Sequence, residues 1–167
     1  MPYLVRAIQY SDWDSISKIY LQGINTNLAT FQTECPQYSD WEAAHHKHSR
    51  LVIVMDDNII GWAALAPVSG RCVYSGVAEV SIYVDEAQRG KGIATILMKA
   101  LIDSAEKNGI WTLQSAIMQD NEASIRLHEK CGFRMVGYRE KIGLDRYGNW
   151  RNIVLMEYRS KTVPAGY

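Results

Sequence analysis

Apolar residues recur at helical spacing through DWDSISKIYLQGI, at Ile16, Ile19, Tyr20 and Ile24. That pattern predicts an amphipathic helix, with Asp12 at its N-cap. NTNLATFQTECPQYS has no period and reads as a loop, and DWEAAHHKHSR reads as a second short helix. LVIVMDDNIIGWAALAPV holds two apolar runs on either side of Asp56-Asp57-Asn58, the pattern of a β-hairpin. EVSIYV, from Glu79 to Val84, predicts a further strand. Beyond Arg89-Gly90-Lys91-Gly92, a helix places Ile93, Leu97, Ala100, Leu101 and Ala105 on one face. Gly109 ends it, with Lys107 in the last turn. IWTLQSAIM reads as a strand, and Asp120 or Asn121 caps a helix that stops at Gly132. RMVGYREKI and NIVLMEYRS read as two closing strands around a turn at 145–149.

This order predicts a mixed α/β (α+β) fold, one largely antiparallel sheet flanked by helices. The 167 residues fit a single domain over 1–167, with a tail over 160–167. Formal net charge is zero, so no overall field draws the chain to nucleic acid or membrane. An anion site must therefore be local. Cys35, Cys72 and Cys131 are odd in number and widely spaced, which predicts reduced thiols and a cytoplasmic setting. MPYLVRAIQY has neither the basic start nor the apolar stretch of a signal peptide. The apolar run IIGWAALAPV is too short to span a bilayer.

Glycines bracketed by cations at the mouth of a helix suggest a phosphate. A Walker loop fails here on spacing and on the missing hydroxyl after Lys91. A dinucleotide fingerprint fails because Thr95 replaces its third glycine and five residues separate Val84 from Gly90. The spacing R-x-x-G-x-A remains, read as Arg89, Gly92 and Ala94. It would let the first helical N–H groups meet an anion. A glycine-rich turn with solvated cations is the plain alternative.

DNEASIRLHEKCGF follows one strand later, with Asn121, Ser124, Leu127, His128, Lys130, Gly132 and Phe133 in a second motif. Together the two segments resemble the GCN5-related N-acetyltransferase (GNAT) family. The match is strong over roughly 79–134, and His128 stands where tyrosine is usual. The resemblance looks closest to the phosphinothricin and methionine-sulfoximine N-acetyltransferase subgroup, through Glu79 in AEVSIYV, RLHE around His128 and RYGNWRNI around Trp150. It implies the GNAT fold, acetyl-CoA as acetyl donor, no metal, a small amine or amino-acid acceptor, a homodimer and a role in detoxification. The donor would sit on Ile82, Tyr83, Val84, Arg89, Gly90, Lys91, Gly92, Ile93 and Ala94, with Asn121 and Ser124. Arg71 and Tyr74, in APVSGRCVYSGVAE, would face the amino acid. Asn152 stands where relatives often carry aspartate.

The chemistry is consistent with those residue types. An ammonium cannot attack a thioester until it loses a proton, and a cleft carboxylate such as Glu79 can take it. A backbone N–H near Val84 could hold the oxyanion. His128 could protonate the leaving thiolate or share the base role. Arg71 suits a substrate carboxylate. Phe31, Tyr74 and Trp150 could wall a side-chain pocket, although core packing explains such aromatics equally well. His45, His46 and His48 lack a second ligand cluster and read as a solvated helix face, not a metal site.

Overall fold

The computed structural model describes residues 2–164. The elements follow in the order β1 (Leu4–Ala7), α1 (Trp13–Asn25), α2 (Tyr38–Ala44), β2 (Leu51–Met55), β3 (Asn58–Pro67) and β4 (Val77–Val84). Then come α3 (Ile93–Lys107), β5 (Thr112–Met118), α4 (Glu122–Lys130), β6 (Arg134–Leu144) and β7 (Trp150–Arg159). The seven strands form one sheet in the order β1-β2-β3-β4-β5-β7-β6. Every neighbouring pair is antiparallel except β4 and β5. The mixed, mostly antiparallel sheet matches the fold class expected from the apolar pattern.

Two apolar clusters cover the two faces. On one face Leu97, Met98 and Leu101 of α3 pack on Ile53, Leu65, Ala78, Leu113, Ile117 and Met156 of the sheet. On the other, Ile16, Ile19, Tyr20 and Ile24 of α1 pack on Val52, Trp62 and Ala64 with Trp41. The period of 3.6 in α1 and α3 therefore buries the residues that the sequence places on one side, except Ala100, which is half-buried while the unpredicted Met98 is fully covered. Asp56 and Asp57 both hold positive φ, 49° and 62°, in the two-residue turn that joins β2 to β3. That geometry matches the right-handed twist of the strands it joins.

Three local expectations change. Asp12 holds the N-cap position of α1, but its side chain makes no capping bond; the carboxylate takes both guanidinium nitrogens of Arg6, at 2.8 and 2.9 Å, and the Gln9 N–H at 2.7 Å. The charge pairing outcompetes the single capping bond. The second helix ends at Ala44, ahead of the histidines, because Arg50 folds back onto the carbonyls of Glu42, His45 and His46. β1 has no counterpart in the predicted elements, being only four residues long and partly exposed. The tail expected over 160–167 starts on a buried residue, Ser160, whose hydroxyl donates to Glu106 at 2.8 Å. Residues 165–167 of that tail lie outside the described residues.

β4 and β5 are paired over three residues only, Val77 with Thr112, Ala78 with Leu113 and Glu79 with Gln114. Gly76 fastens the closed end. Its carbonyl accepts the N–H groups of Trp111 and Thr112, at 2.8 and 3.1 Å. A Cβ there would run into the Trp111 ring. Gly76→Val should therefore destabilise the protein by about 1–3 kcal/mol through overpacking, lowering the melting temperature. Gly70→Val, where nothing lies within 4 Å of a Cβ, should leave it unchanged in the same thermal melt.

Candidate active site

Beyond Glu79, β4 and β5 part. The full β3–β4 ladder holds one blade of this fork and the full β5–β7 ladder holds the other. Asp85 donates its N–H to Ile60 on the β3 side at 2.9 Å. Backbone groups alternate along a strand. Val84, Ile82 and Val80 consequently turn their N–H and C=O groups into the open fork, where β5 no longer reaches them. Tyr83, expected beside them in donor binding, faces β3 opposite Trp62 instead. Its ring stacks between Trp62 and Tyr20, at 4.9 Å from each, and burial pushes its phenol up.

The fork opens into a cleft of about 800 Å³. Glu79, Ser81 and Tyr83 line it from β4, and Ser115, Ala116, Ile117 and Met118 from β5. Strand alternation sorts these side chains by face. Val80, Ile82 and Val84 pack with the α3 cluster, and Tyr83 packs with the α1 cluster. Glu79, in step with Tyr83, thus stands on the α1 face, and it is exposed to the cleft. Ser115, in step with the buried Leu113 and Ile117, stands on the α3 and α4 face. The fork is a slot through the sheet with a carboxylate on one side and a serine–histidine pair on the other.

That pair is well defined. His128 is 2% exposed. Its Nδ1 lies 2.7 Å from the Ser124 carbonyl, which can only accept, so Nδ1 carries the proton. Its Nε2 then accepts the Ser115 hydroxyl at 2.8 Å. Burial holds the imidazole below its ordinary value of 6.5, against the opposing pull of the Ser124 carbonyl. His128 is therefore neutral at pH 7, with both nitrogens engaged. The sequence offers His128 as a proton donor to the thiolate or a shared base; the structure holds it buried and bonded to Ser115. Ser115 was not singled out from sequence, although it is the one hydroxyl on the buried parity of an apolar strand.

The donor-binding stretch sits where its spacing predicts. Gly90 and Gly92 hold φ of 75° and 79°, which side chains resist. No side chain caps α3, so its first N–H groups are open to an anion. Ile93 is buried beneath them, and Ala94 follows on the first turn. Arg89 makes no ion pair among the described residues. Lys91 folds back on the Ala87 carbonyl at 3.0 Å and on Gln88 at 3.1 Å. A phosphate chain at this helix mouth and a thioester in the fork fit these residues. Asn121 does two jobs at the start of α4: it accepts the Ser124 N–H and donates to the Leu28 carbonyl, both at 3.3 Å.

The acceptor-side residues are only partly brought together. Phe31 lines the cleft with Leu28, Ala29 and Thr30 of the α1–α2 loop, its ring lying over Gly143 of β6. Arg71 and Tyr74 stand outside the cleft wall, on an exposed turn where the guanidinium covers the Tyr74 ring at 5.8 Å. Trp150 is exposed beside Gln119, Asp120, Arg151 and Asn152, in a separate depression. Sequence reading also missed what holds the loop. Arg151 donates to the Asn27 carbonyl at 2.7 Å and pairs with Asp120 and Asp145. Asp145 accepts from Asn149, Tyr147, Asn27 and Arg151, which hold its carboxyl well below the usual range, the Asn149 N–H most strongly. Asn152 uses both ends of its amide, accepting the Lys141 N–H at 2.8 Å and donating to Gln119 at 3.1 Å. Among the described residues no group of acidic, histidine or cysteine side chains could hold a metal. His45, His46 and His48 form none.

Residues 12–133 match the acetyltransferase (GNAT) family. The chain is 28% identical over 162 residues to an L-methionine sulfoximine/L-methionine sulfone acetyltransferase of Pseudomonas paraeruginosa, covering 92% of each. It superposes on an N-acetyltransferase from Staphylococcus aureus Mu50 with a TM-score of 0.87 at 27% identity, over 95% of this chain and 99% of that one. A GNAT superfamily phosphinothricin acetyltransferase from Sinorhizobium meliloti, solved in complex with AcCoA, has the same fold. Its TM-score is 0.86 at 23% identity, over 100% and 96%. The chain belongs to the acetyltransferase (GNAT) family, as its two motifs suggest.

All four histidines are held below their ordinary value, burial being the largest cause each time. Just below pH 6.5 the unfolded chain then binds more protons than the folded one. Their contribution to stability is complete above that pH and is lost as pH falls. Lowered carboxylates, Asp12 and Asp145, lose theirs only in stronger acid. The melting temperature should fall steadily from about pH 7.5 to about pH 5.5, with net proton uptake on unfolding. A flat profile in buffers of matched ionic strength would contradict this.

Proposed function

We propose that this GNAT acetyltransferase transfers acetyl from acetyl-CoA to the α-amine of a small amino acid or analogue, of the methionine sulfoximine, methionine sulfone or phosphinothricin type. The observation that carries this reading is the slot between β4 and β5. One side presents Glu79 to the α1 face, and the other presents Ser115 and His128 to the α4 face. An amine entering from the first side and a thioester lying along the second would meet in the opening, with no covalent acetyl-enzyme needed.

In this reading Glu79 takes the ammonium proton, directly or through water. The backbone N–H groups of Ile82 and Val84 are the oxyanion candidates. The α3 N-terminus, with Arg89, Gly90, Lys91 and Gly92, holds the phosphates. Val80 and Ile82 give the thioester an apolar wall. The same reading takes the protein as a cytoplasmic homodimer with a detoxifying role, acting on neither nucleic acid nor membrane. Supporting the dimer, the edge strand β6 leaves Met135, Val136, Tyr138, Ile142 and Leu144 exposed. No helix among the described residues is long and apolar enough to cross a membrane.

One observation favours a second reading, a protein N-terminal or lysine acetyltransferase. With Arg71, Tyr74 and Trp150 outside the wall, the single chain leaves the cleft open enough for a peptide. A panel of methionine sulfone, methionine sulfoximine, phosphinothricin, other amino acids and short peptides, read by thiol release, separates the two. Turnover of the amino-acid analogues is expected. Turnover of peptides alone would overturn the first reading, and binding of acetyl-CoA with no turnover of any amine would make the protein a sensor.

Two substitutions should divide the site. Glu79→Gln should lower kcat by about 10²-fold or more with acetyl-CoA affinity unchanged. Arg89→Ala should raise the KM for acetyl-CoA several-fold and leave kcat near normal, since a lost phosphate contact is worth about 1–2 kcal/mol. Steady-state kinetics against each substrate in turn would check both.

A further inference from the structure

His128 borders the cleft but is only 2% exposed, and neither ring nitrogen is free to meet a substrate. Its ring is buried against Phe133, 4.8 Å between centroids, and both nitrogens have partners. The group that meets its Nε2 is the Ser115 hydroxyl, which lines the same cleft. Ser115 Oγ donates its only proton to Nε2 and keeps its lone pairs for a donor arriving from the cleft, which Ser115 lines. A hydroxyl whose proton already points at a neutral imidazole is set to exchange protons rather than merely to fill space.

We infer that Ser115 and His128 form a two-member proton relay on the sulfur side of the fork, with Ser115 in contact with the reacting groups and His128 acting through it. The inference rests on the acetyl-transfer reading above. The proton count gives such a device a task. An ammonium that becomes an amide N–H loses two protons. The first leaves before attack, through Glu79 on the α1 face, to solvent. The second leaves nitrogen once the N–C bond has formed. It passes to Ser115 Oγ while the serine's own proton moves to His128 Nε2. As the C–S bond breaks, the electron pair goes to sulfur. Nε2 then returns its proton to Ser115 Oγ, and the serine's other proton goes to sulfur. One N–H is lost, one S–H is gained, and relay and histidine end as they began.

The Ser124 carbonyl fixes this tautomer and orients the ring. It also favours the transient imidazolium through the Nδ1–H. Among the described residues no carboxylate bonds to His128, so none of them traps the imidazolium. A relay needs that balance, because a proton held too firmly is not returned.

The test uses the full-length protein, acetyl-CoA and the amine that the wild type turns over fastest. Thiol release by the wild type tests the acetyl-transfer reading, and failure there is a failure of that reading alone. Given turnover, kcat of the wild type plotted against deuterium fraction should bow, because two protons move together. Ser115→Ala should lower kcat by about 10–100-fold and straighten that plot, with the KM for acetyl-CoA within narrow limits of the wild type. His128→Gln should show the same kinetic defect, and the double variant should be no slower than the slower single. A linear wild-type plot, Ser115→Ala within two-fold of wild-type kcat, or single losses that multiply in the double variant would each overturn the relay. The wild-type plot needs no variant to fold.

Discussion

The chemistry of this protein depends on an interruption of hydrogen bonding. Among the described residues β4 and β5 are the only parallel neighbours in the sheet, and they stay paired for three residues. An antiparallel pair can be joined by a tight turn, but a parallel pair needs a crossover, here α3. The crossover fixes only the near ends of the two strands. Gly76 and Trp111 lock those ends, while β3 and β7 draw the blades apart through full ladders of their own. Backbone groups of Val80, Ile82 and Val84 are then left without strand partners. Buried N–H and C=O groups are costly when unpaired, so this stretch of β4 is built to be completed by solvent or ligand.

The sheet's own alternation divides the labour. Because successive side chains leave opposite faces, one strand cannot put two neighbouring residues on the same side of the slot. Glu79 faces the α1–α2 loop, and Ser115 faces α4. Acceptor chemistry and sulfur chemistry are therefore separated by the thickness of the sheet, and reacting groups meet only within the fork. That separation keeps the carboxylate, which must be charged to act as a base, away from the imidazole, which burial keeps neutral. A charge beside His128 would raise its affinity for a proton and undo the difference.

Much of this was legible in the chain. The periods of α1 and α3, the hairpin at Asp56-Asp57 and the cation-flanked glycines before Ile93 each follow from local rules, and local rules survive folding. The contacts that were not legible are non-local. Tyr83 sits between two residues of the donor stretch, yet strand parity sends it into an aromatic stack with Trp62 and Tyr20. Arg71, Tyr74 and Trp150 have the chemistry of a substrate pocket, but their turns leave them on the outside of this cleft. Ser115 reads as an ordinary polar break in an apolar strand until α4 brings His128 against it. Asp12 does stand at the N-cap of α1, but its carboxylate is drawn to Arg6 six residues upstream instead of to the helix.

The acceptor side is held by a different logic. Nothing regular covers residues 26–37, so the α1–α2 loop has no ladder to fix it. It is tied at points instead. Arg151 and Asp145 hold Asn27, Asn121 holds the Leu28 carbonyl, and Arg146 holds the Thr33 carbonyl at 2.6 Å. Three of these four anchors come from the β6–β7 turn and the first residues of β7. The fourth caps the helix that carries His128. The loop's position is thus set by the strand that braces β5 and by the helix that completes the sulfur side. Any shift of the fork's far blade must carry the acceptor wall with it. Specificity for the amine is therefore a property of the β5–β7 half of the molecule as much as of the loop that touches the cleft. Asn152, beside Arg151, extends the linkage to β6: its amide joins the Lys141 bulge to Gln119 at the end of β5. A carboxylate there could still accept from Lys141, but the bond to Gln119 would have to reverse, with the glutamine amide turned over to donate.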